Sequence, residues 1–157
     1  MSERKLELKS WKDGHGVDLT LGRVVVAEPD EEYAYVKASG SYRSQRADAF
    51  NPMRMAIVGA MAWKGRARTS GLVLDLSELD YTSGDTLLLT FRTPIVRDEV
   101  GERVGLIWSV SNEPHIRSLI EDERDDSDDL LARCHPTLEA CIAHLSAMAP
   151  PPWRRKR

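Results

Sequence analysis

No stretch of this sequence approaches the run of about eighteen apolar residues that a membrane span requires, so a spanning helix is not expected. The opening, MSERKLELKSWKDG, lacks the apolar core of a secretory signal. Together these readings place the protein in the cytoplasm. Cysteine is scarce: Cys134 and Cys141 are the two present, seven positions apart, and a disulfide framework is not expected of them. Their expected role is as buried, inert thiols. Charge of one sign is also lacking. With 25 acidic against 22 basic residues the net charge is -3, which gives no general attraction to nucleic acid or to anionic lipid. The phosphate-binding loops GxGxxG and GxxxxGK[ST] are absent, which disfavours dinucleotide and triphosphate binding by the familiar routes.

What is present suffices for one compact domain. A chain of 157 residues with 41% hydrophobic content can fill a core without metals or cross-links. Residues 1–19 are polar and form a lead-in able to add an edge strand. The domain itself spans 20–149, and the basic tail PPPWRRKR, within 150–157, is expected to be solvated.

Val24 to Val26 and the alternating YAYVKA segment predict neighbouring strands, with Pro29 and Asp30 turning the chain into a hairpin. Phe50, Met53, Ile57, Val58, Met61 and Ala62 recur at helical spacing, so a helix is expected from about Asn51, closed by Gly65. GLVLDLSEL is a nearly continuous apolar run suited to a strand covered on both faces, and SGDTLLLTFR then begins a helix. Pro94 starts a further short helix through IVRDEV. RVGLIWSV is another central strand, with Trp108 in the core, and NEPHIRSLIE a helix capped by Asn112. The acidic EDERDDSDD is expected as a solvated loop, with an edge strand near Leu130 to Arg133 and a last helix capped by Thr137. Strands alternating with helices make this an α/β fold: a mixed, largely parallel sheet covered by about four helices.

No catalytic constellation stands out, and an enzyme is the weaker expectation. A nucleophile elbow needs GxSxG, and Ser83 in YTSGD lacks the preceding glycine. His115 and His144 fall on amphipathic helices and His135 beside a proline, which fits surface or capping roles. Cys134, His135, Cys141 and His144 are spaced too widely for a zinc knuckle, so no metal is expected, nor any cofactor. Asp75, Asp80 and Asp85 could gather for acid–base work, but Asp85 suits a helix N-terminus and Ser83 a cap.

Three segments carry a resemblance: YAYVKASGSY, GLVLDLSELDYTSGDTLLL and HPTLEACIAHL. With them the chain resembles a STAS domain, the module of bacterial anti-sigma factor antagonists and of the cytoplasmic tails of sulfate transporters. The resemblance implies a turn in which an aspartate, two serines and a glycine follow the central strand, the second serine being phosphorylated by a partner kinase that is also an anti-sigma factor. Counted from Asp75 without a gap, the acceptor position falls on Asp85, with Gly84 before it and Thr86 after it. A shift of two places it on Ser83, followed by Gly84. The first register presents a fixed negative charge; the second leaves a switch operable by phosphate.

The leading expectation is a non-catalytic regulatory module that binds a partner such as an anti-sigma factor kinase through residues 81–88. Tyr81, Thr82, Ser83, Gly84, Asp85 and Thr86 would meet the partner, and Ser83 is the phospho-acceptor candidate. Two alternatives stand beside it. The same turn could form an anion or nucleotide site in a small-ligand protein or enzyme. Alternatively Trp11, Trp63, Trp108 and Trp153 supply surfaces for a homodimer.

Overall fold

A computed structural model describes residues 4–12, 17–27, 30–43, 50–63, 68–83, 94–122 and 127–155. Its strands are β1 (Arg4–Lys12), β2 (Val17–Val26), β3 (Glu31–Arg43), β4 (Gly71–Ser83), β5 (Val104–Ile107) and β6 (Cys134–His135). Its helices are α1 (Phe50–Ala62), α2 (Pro94–Val100), α3 (Glu113–Asp122), α4 (Ser127–Ala132), α5 (Leu138–Ala147) and α6 (Pro152–Arg155). The six strands lie in sequence order in one sheet. β1–β2 and β2–β3 pair antiparallel, and β3–β4, β4–β5 and β5–β6 pair parallel, so the expected mixed α/β architecture is what forms.

The period-two pattern sends alternate residues to opposite faces. Leu19, Leu21, Ala34, Val36, Leu72, Leu74, Leu106 and Trp108 meet Met53, Ala56, Ile57 and Ala60 of α1 and Ile116 and Ile120 of α3 on one face. Val24, Val26, Tyr33, Tyr35, Val73 and Ile107 meet Cys141, Ile142 and Leu145 of α5 on the other. Covered from both sides, β4 has the nearly continuous apolar run such a strand needs, interrupted at the buried Asp75. The seat of α5 is a glycine: a Cβ on Gly105 would stand 2.3 Å from Cys141 Sγ and 3.3 Å from Leu145 Cδ1, so only a bare backbone lets the helix come this close.

Several expectations shift. β2 begins at Val17, whose side chain is buried, and pairs with β1, so the polar lead-in of 1–19 runs directly into the sheet. The edge strand expected at Leu130 to Arg133 is Cys134–His135 instead; Leu130 and Leu131 belong to α4 and pack on the core, which a helix allows both to do. Part of the acidic run is thus helical, while residues 123–126 lie outside the described residues. The helix expected in SGDTLLLTFR falls almost wholly outside them too.

The tail is packed rather than solvated. Pro151 is buried, and the Trp153 indole N–H donates to the Thr69 carbonyl at 2.9 Å, with the Arg68 and Arg154 guanidinium carbons 5.6 and 5.4 Å from its ring centroid. Arg154 donates to Glu31 Oε1 at 3.2 Å. Net charge alone concealed this, because an indole flanked by guanidinium groups and given a carbonyl acceptor is well satisfied at a surface.

Two measurements check this packing. Gly105→Ala is expected to lose about 1–3 kcal/mol in urea denaturation, the usual cost of overpacking; Gly59→Ala on α1, whose new Cβ would meet Leu21 Cδ1 at 3.4 Å, should change stability by no more than about 1 kcal/mol. Burial pushes the Cys134 and Cys141 thiols from 9.0 up to about 12. Because the folded values lie above the unfolded one, their contribution is intact below pH 9.0 and is lost as pH climbs towards about 12. Denaturation midpoints should therefore hold level up to pH 9.0 and decline above it, and both thiols should resist disulfide reagents until the chain unfolds.

Candidate functional site

The chemistry of interest gathers where β4 departs from its neighbours. Its pairing with β3 slips twice: Lys37 faces Asp75 but Ser39 faces Glu78, and Tyr42 faces Tyr81 but Arg43 faces Ser83. Each slip places one extra residue in β4, which is a β-bulge. The first has a clear cause in the core. Leu72, Leu74 and Leu76 point to the α1 face, and an uninterrupted strand would turn Leu79 and Tyr81 to the opposite one. The extra residue restores them, and both are buried in the same cluster as the leucines before them.

A bulge frees backbone groups, and here two side chains take them. Asp75, on the α5 face, accepts from the Ser77 amide at 3.0 Å and from Ser77 Oγ at 2.6 Å through Oδ1, while Oδ2 accepts the Tyr35 hydroxyl at 2.5 Å. Burial, together with the Asp75 hydrogen bond and charge, pushes the Tyr35 phenol far above its ordinary value of 10.0, so it acts as a fixed donor. From the opposite side Asn112, only 2% exposed, donates from Nδ2 to Leu76 O at 2.7 Å and Leu79 O at 2.9 Å, the two carbonyls that bracket the bulge. Its Oδ1 accepts the Ser109 amide at 2.8 Å, tying the β5–α3 loop to β4.

This corrects one expectation, the cap, and answers one alternative, the carboxylate cluster. Asn112 does not cap α3 with its side chain; it braces the neighbouring strand, because the amide's two donors match two adjacent carbonyls. Asp75 is not gathered with Asp80 for acid–base work. Its oxygens are engaged by Ser77 and Tyr35, whereas Asp80 is exposed and accepts from Ser41 Oγ at 3.3 Å. Beside them the half-buried Lys37 and the exposed Glu78 form an ion pair at 2.9 Å. Asn112 and Ser77 were missed as site residues, although the jump from even to odd apolar positions between Leu76 and Leu79 marks the bulge in the sequence.

Of the residues expected to meet a partner, Tyr81 is 2% exposed and belongs to the core, so its side chain is not part of a docking face. Thr82 falls at the second bulge and Ser83 is the last residue of β4. Gly84, Asp85 and Thr86 lie outside the described residues. Of the histidines, His115 is exposed on α3, and His135 and His144 stand together at the β6 edge. Burial first, and the neighbouring His144 second, lower the His135 pKa below its ordinary 6.5. Cys134 and Cys141 are free and buried. Among the described residues no helix is long and apolar enough to cross a membrane.

The opposite rim is organised differently. Arg103, 3% exposed, donates through Nε to Leu145 O at 3.0 Å and through Nη1 to Ser70 O at 3.1 Å and Glu31 Oε1 at 3.3 Å. The Tyr33 hydroxyl donates to Glu31 Oε2 and lies 3.0 Å from Ser146 Oγ. Burial and the Glu31 hydrogen bond hold that phenol protonated well above 10.0.

The Asn112 brace yields a direct test. Asn112→Ala leaves the Leu76 and Leu79 carbonyls buried without their donor, and a loss of about 1–3 kcal/mol is expected in chemical denaturation. Hydrogen exchange should quicken locally over residues 77–81 while the β2–β3 amides keep their protection; uniform quickening across the sheet would contradict a local brace.

No family model matches the chain, and no curated protein matches it. Among solved structures, the crystal structure of an anti-sigma factor antagonist from Mycobacterium paratuberculosis is similar to it, with 18% sequence identity over 92% of this chain and 95% of that one and a TM-score of 0.49.

Proposed function

We propose that this protein is a non-catalytic regulatory module that binds a protein partner through the carboxyl end of β4 and the turn after it, residues 81–88. The observation that carries the reading is the double brace of β4. Asp75 on one side and Asn112 on the other hold the strand through its first bulge, so that Ser83, its last residue, leaves the sheet on a firmly held backbone. A surface presented in a fixed shape loses little entropy on docking, which is what a recognition element requires.

The STAS resemblance of DLSELDYTSGDTLLL supports a regulatory protein as the partner, of the kind represented by an anti-sigma factor kinase, in the cytoplasm of a bacterium. Under this reading the contact set is Thr82, Ser83, Gly84, Asp85 and Thr86, with the buried Tyr81 anchoring it from beneath. Ser83 is the phosphate acceptor: about two added charges at the rim of the sheet would repel an acidic partner face and disrupt a docked one. Asp85 contributes a standing negative charge beside it. Asp75 serves as a brace and not as a general base, since its carboxylate already accepts three hydrogen bonds.

Affinity capture from extract of the source cell, comparing wild type with Ser83→Asp and Asp85→Ala, tests the reading. At least one retained protein is expected to fall about tenfold or more in the variants, and phosphopeptide mapping is expected to place phosphate on Ser83. Identical capture by all three chains would count against a docking role for the turn. A thermal shift with nucleotides that vanishes in the same variants would instead identify the turn as an anion site.

A further inference from the structure

The two edges of the sheet are built unlike one another. β6, at one end, is two residues long, whereas β1, at the other, runs through Arg4–Lys12 and pairs with β2 at every position without a register shift. Among the described residues no strand pairs with the outer side of β1. Such an edge presents a row of backbone N–H and C=O groups to any other chain, and proteins blunt it with short strands, prolines, bulges or charge. β1 has no proline and no bulge, so its sequence RKLELKSWK leaves charge as the one device.

The order of those charges suits a second copy of the same strand. Two copies related by a twofold axis run antiparallel, and residues that face each other must share a face of the sheet, so one residue sits on the axis and meets itself. Centring on Glu7 or on Lys9 sets like charges against each other there. Centring on Leu6 engages only residues 4–8. Centring on Leu8 engages the whole strand: Leu8 meets Leu8, Glu7 meets Lys9 on both sides of the axis, and Lys5 meets Trp11. The like-charged pairing of Arg4 with Lys12 falls at the two ends, where strands fray.

We propose that β1 is a dimer interface, pairing antiparallel about Leu8 with β1 of a second copy of this chain and joining two six-stranded sheets into one. The helices leave room for this. α1 packs on β2 and β3. With strands about 4.8 Å apart, the two α1 axes would stand roughly 19 Å apart, more than the width of about 10–12 Å that a helix occupies. α5 packs on β4, β5 and β6, farther from the axis. The same charges that discourage unrelated strands select this register.

The test is sedimentation equilibrium on the full chain, with cysteine cross-linking to read the register. A dimer with a Kd below roughly 100 μM is expected. Lys9→Glu, which sets carboxylates against each other on both sides of the axis, should weaken association at least about tenfold while the circular dichroism spectrum stays that of the wild type. Arg97→Glu, the same charge change at an exposed position of α2, should leave association unchanged. Leu8→Cys should form a disulfide-linked dimer under mild oxidation. Leu6→Cys should not, because two residues from the axis it lies beyond the Cα separation of about 7 Å that a disulfide tolerates. The native thiols are buried and give no background. A wild type that stays monomeric at roughly 100 μM, association unchanged by Lys9→Glu, or cross-linking at position 6 in preference to 8 would overturn the proposal.

Discussion

The strand β4 must satisfy two demands at once: it is buried on both faces, and it must carry a polar segment out to the rim. A regular strand cannot do this with the residues given. Leu72, Leu74 and Leu76 commit one parity to the α1 face, while Leu79 and Tyr81 would fall on the other. The extra residue inserted between them settles the conflict, and the sheet around it is arranged to accept that insertion. Asn112 is the deciding contact, because among the described residues its side-chain amide reaches both Leu76 O and Leu79 O. Without such a donor, two carbonyls in a low-dielectric interior would make the bulge costly, and a one-residue slip would be the competing outcome.

The two rims of the parallel strands are therefore chemically unlike. At their amino ends Glu31, Arg103, Tyr33 and the tail residue Arg154 form a closed set of charge-assisted hydrogen bonds. Arg23, also buried, takes the Met61 and Trp63 carbonyls at the end of α1 at 2.9 and 3.1 Å; burial lowers its pKa, opposed in part by the Glu32 charge. Carboxyl-end chemistry among the described residues is built around the bulges of β4, with Asp75 and Asn112 bracing the first and the Lys37–Glu78 ion pair beside it. The sheet is thus closely bonded at one rim and carries an irregular strand, β4, at the other.

The sequence revealed most of this fold because its signals were local. The β2–β3 hairpin followed from the β-branched Val24–Val26 and the alternating YAYVKA on either side of Pro29 and Asp30, and α5 from Thr137, whose Oγ1 accepts the Ala140 amide at 3.2 Å. Trp108 could be placed in the core from the company it keeps in RVGLIW. What stayed hidden was long-range. Asn112 before a helix reads as a cap by every local rule, and nothing nearby says that its donors are needed 33 and 36 residues earlier in the chain. The tail misled for the same reason: PPPWRRKR looks like a charged end until Glu31 and Thr69 are seen beneath it. Leu130 and Leu131 suit a strand or a helix equally, and only their packing on the core decides.

Arg103 also bears on how the chain assembles. Its guanidinium joins partners 33, 42 and 72 positions away along the sequence, respectively before β4, on α5 and in β3. Each such contact closes a loop whose entropy is spent before any bond is gained. This keystone can be set only once hairpin, central strands and α5 are in place, so it gives little help to the folding transition state and acts chiefly by slowing the reverse reaction.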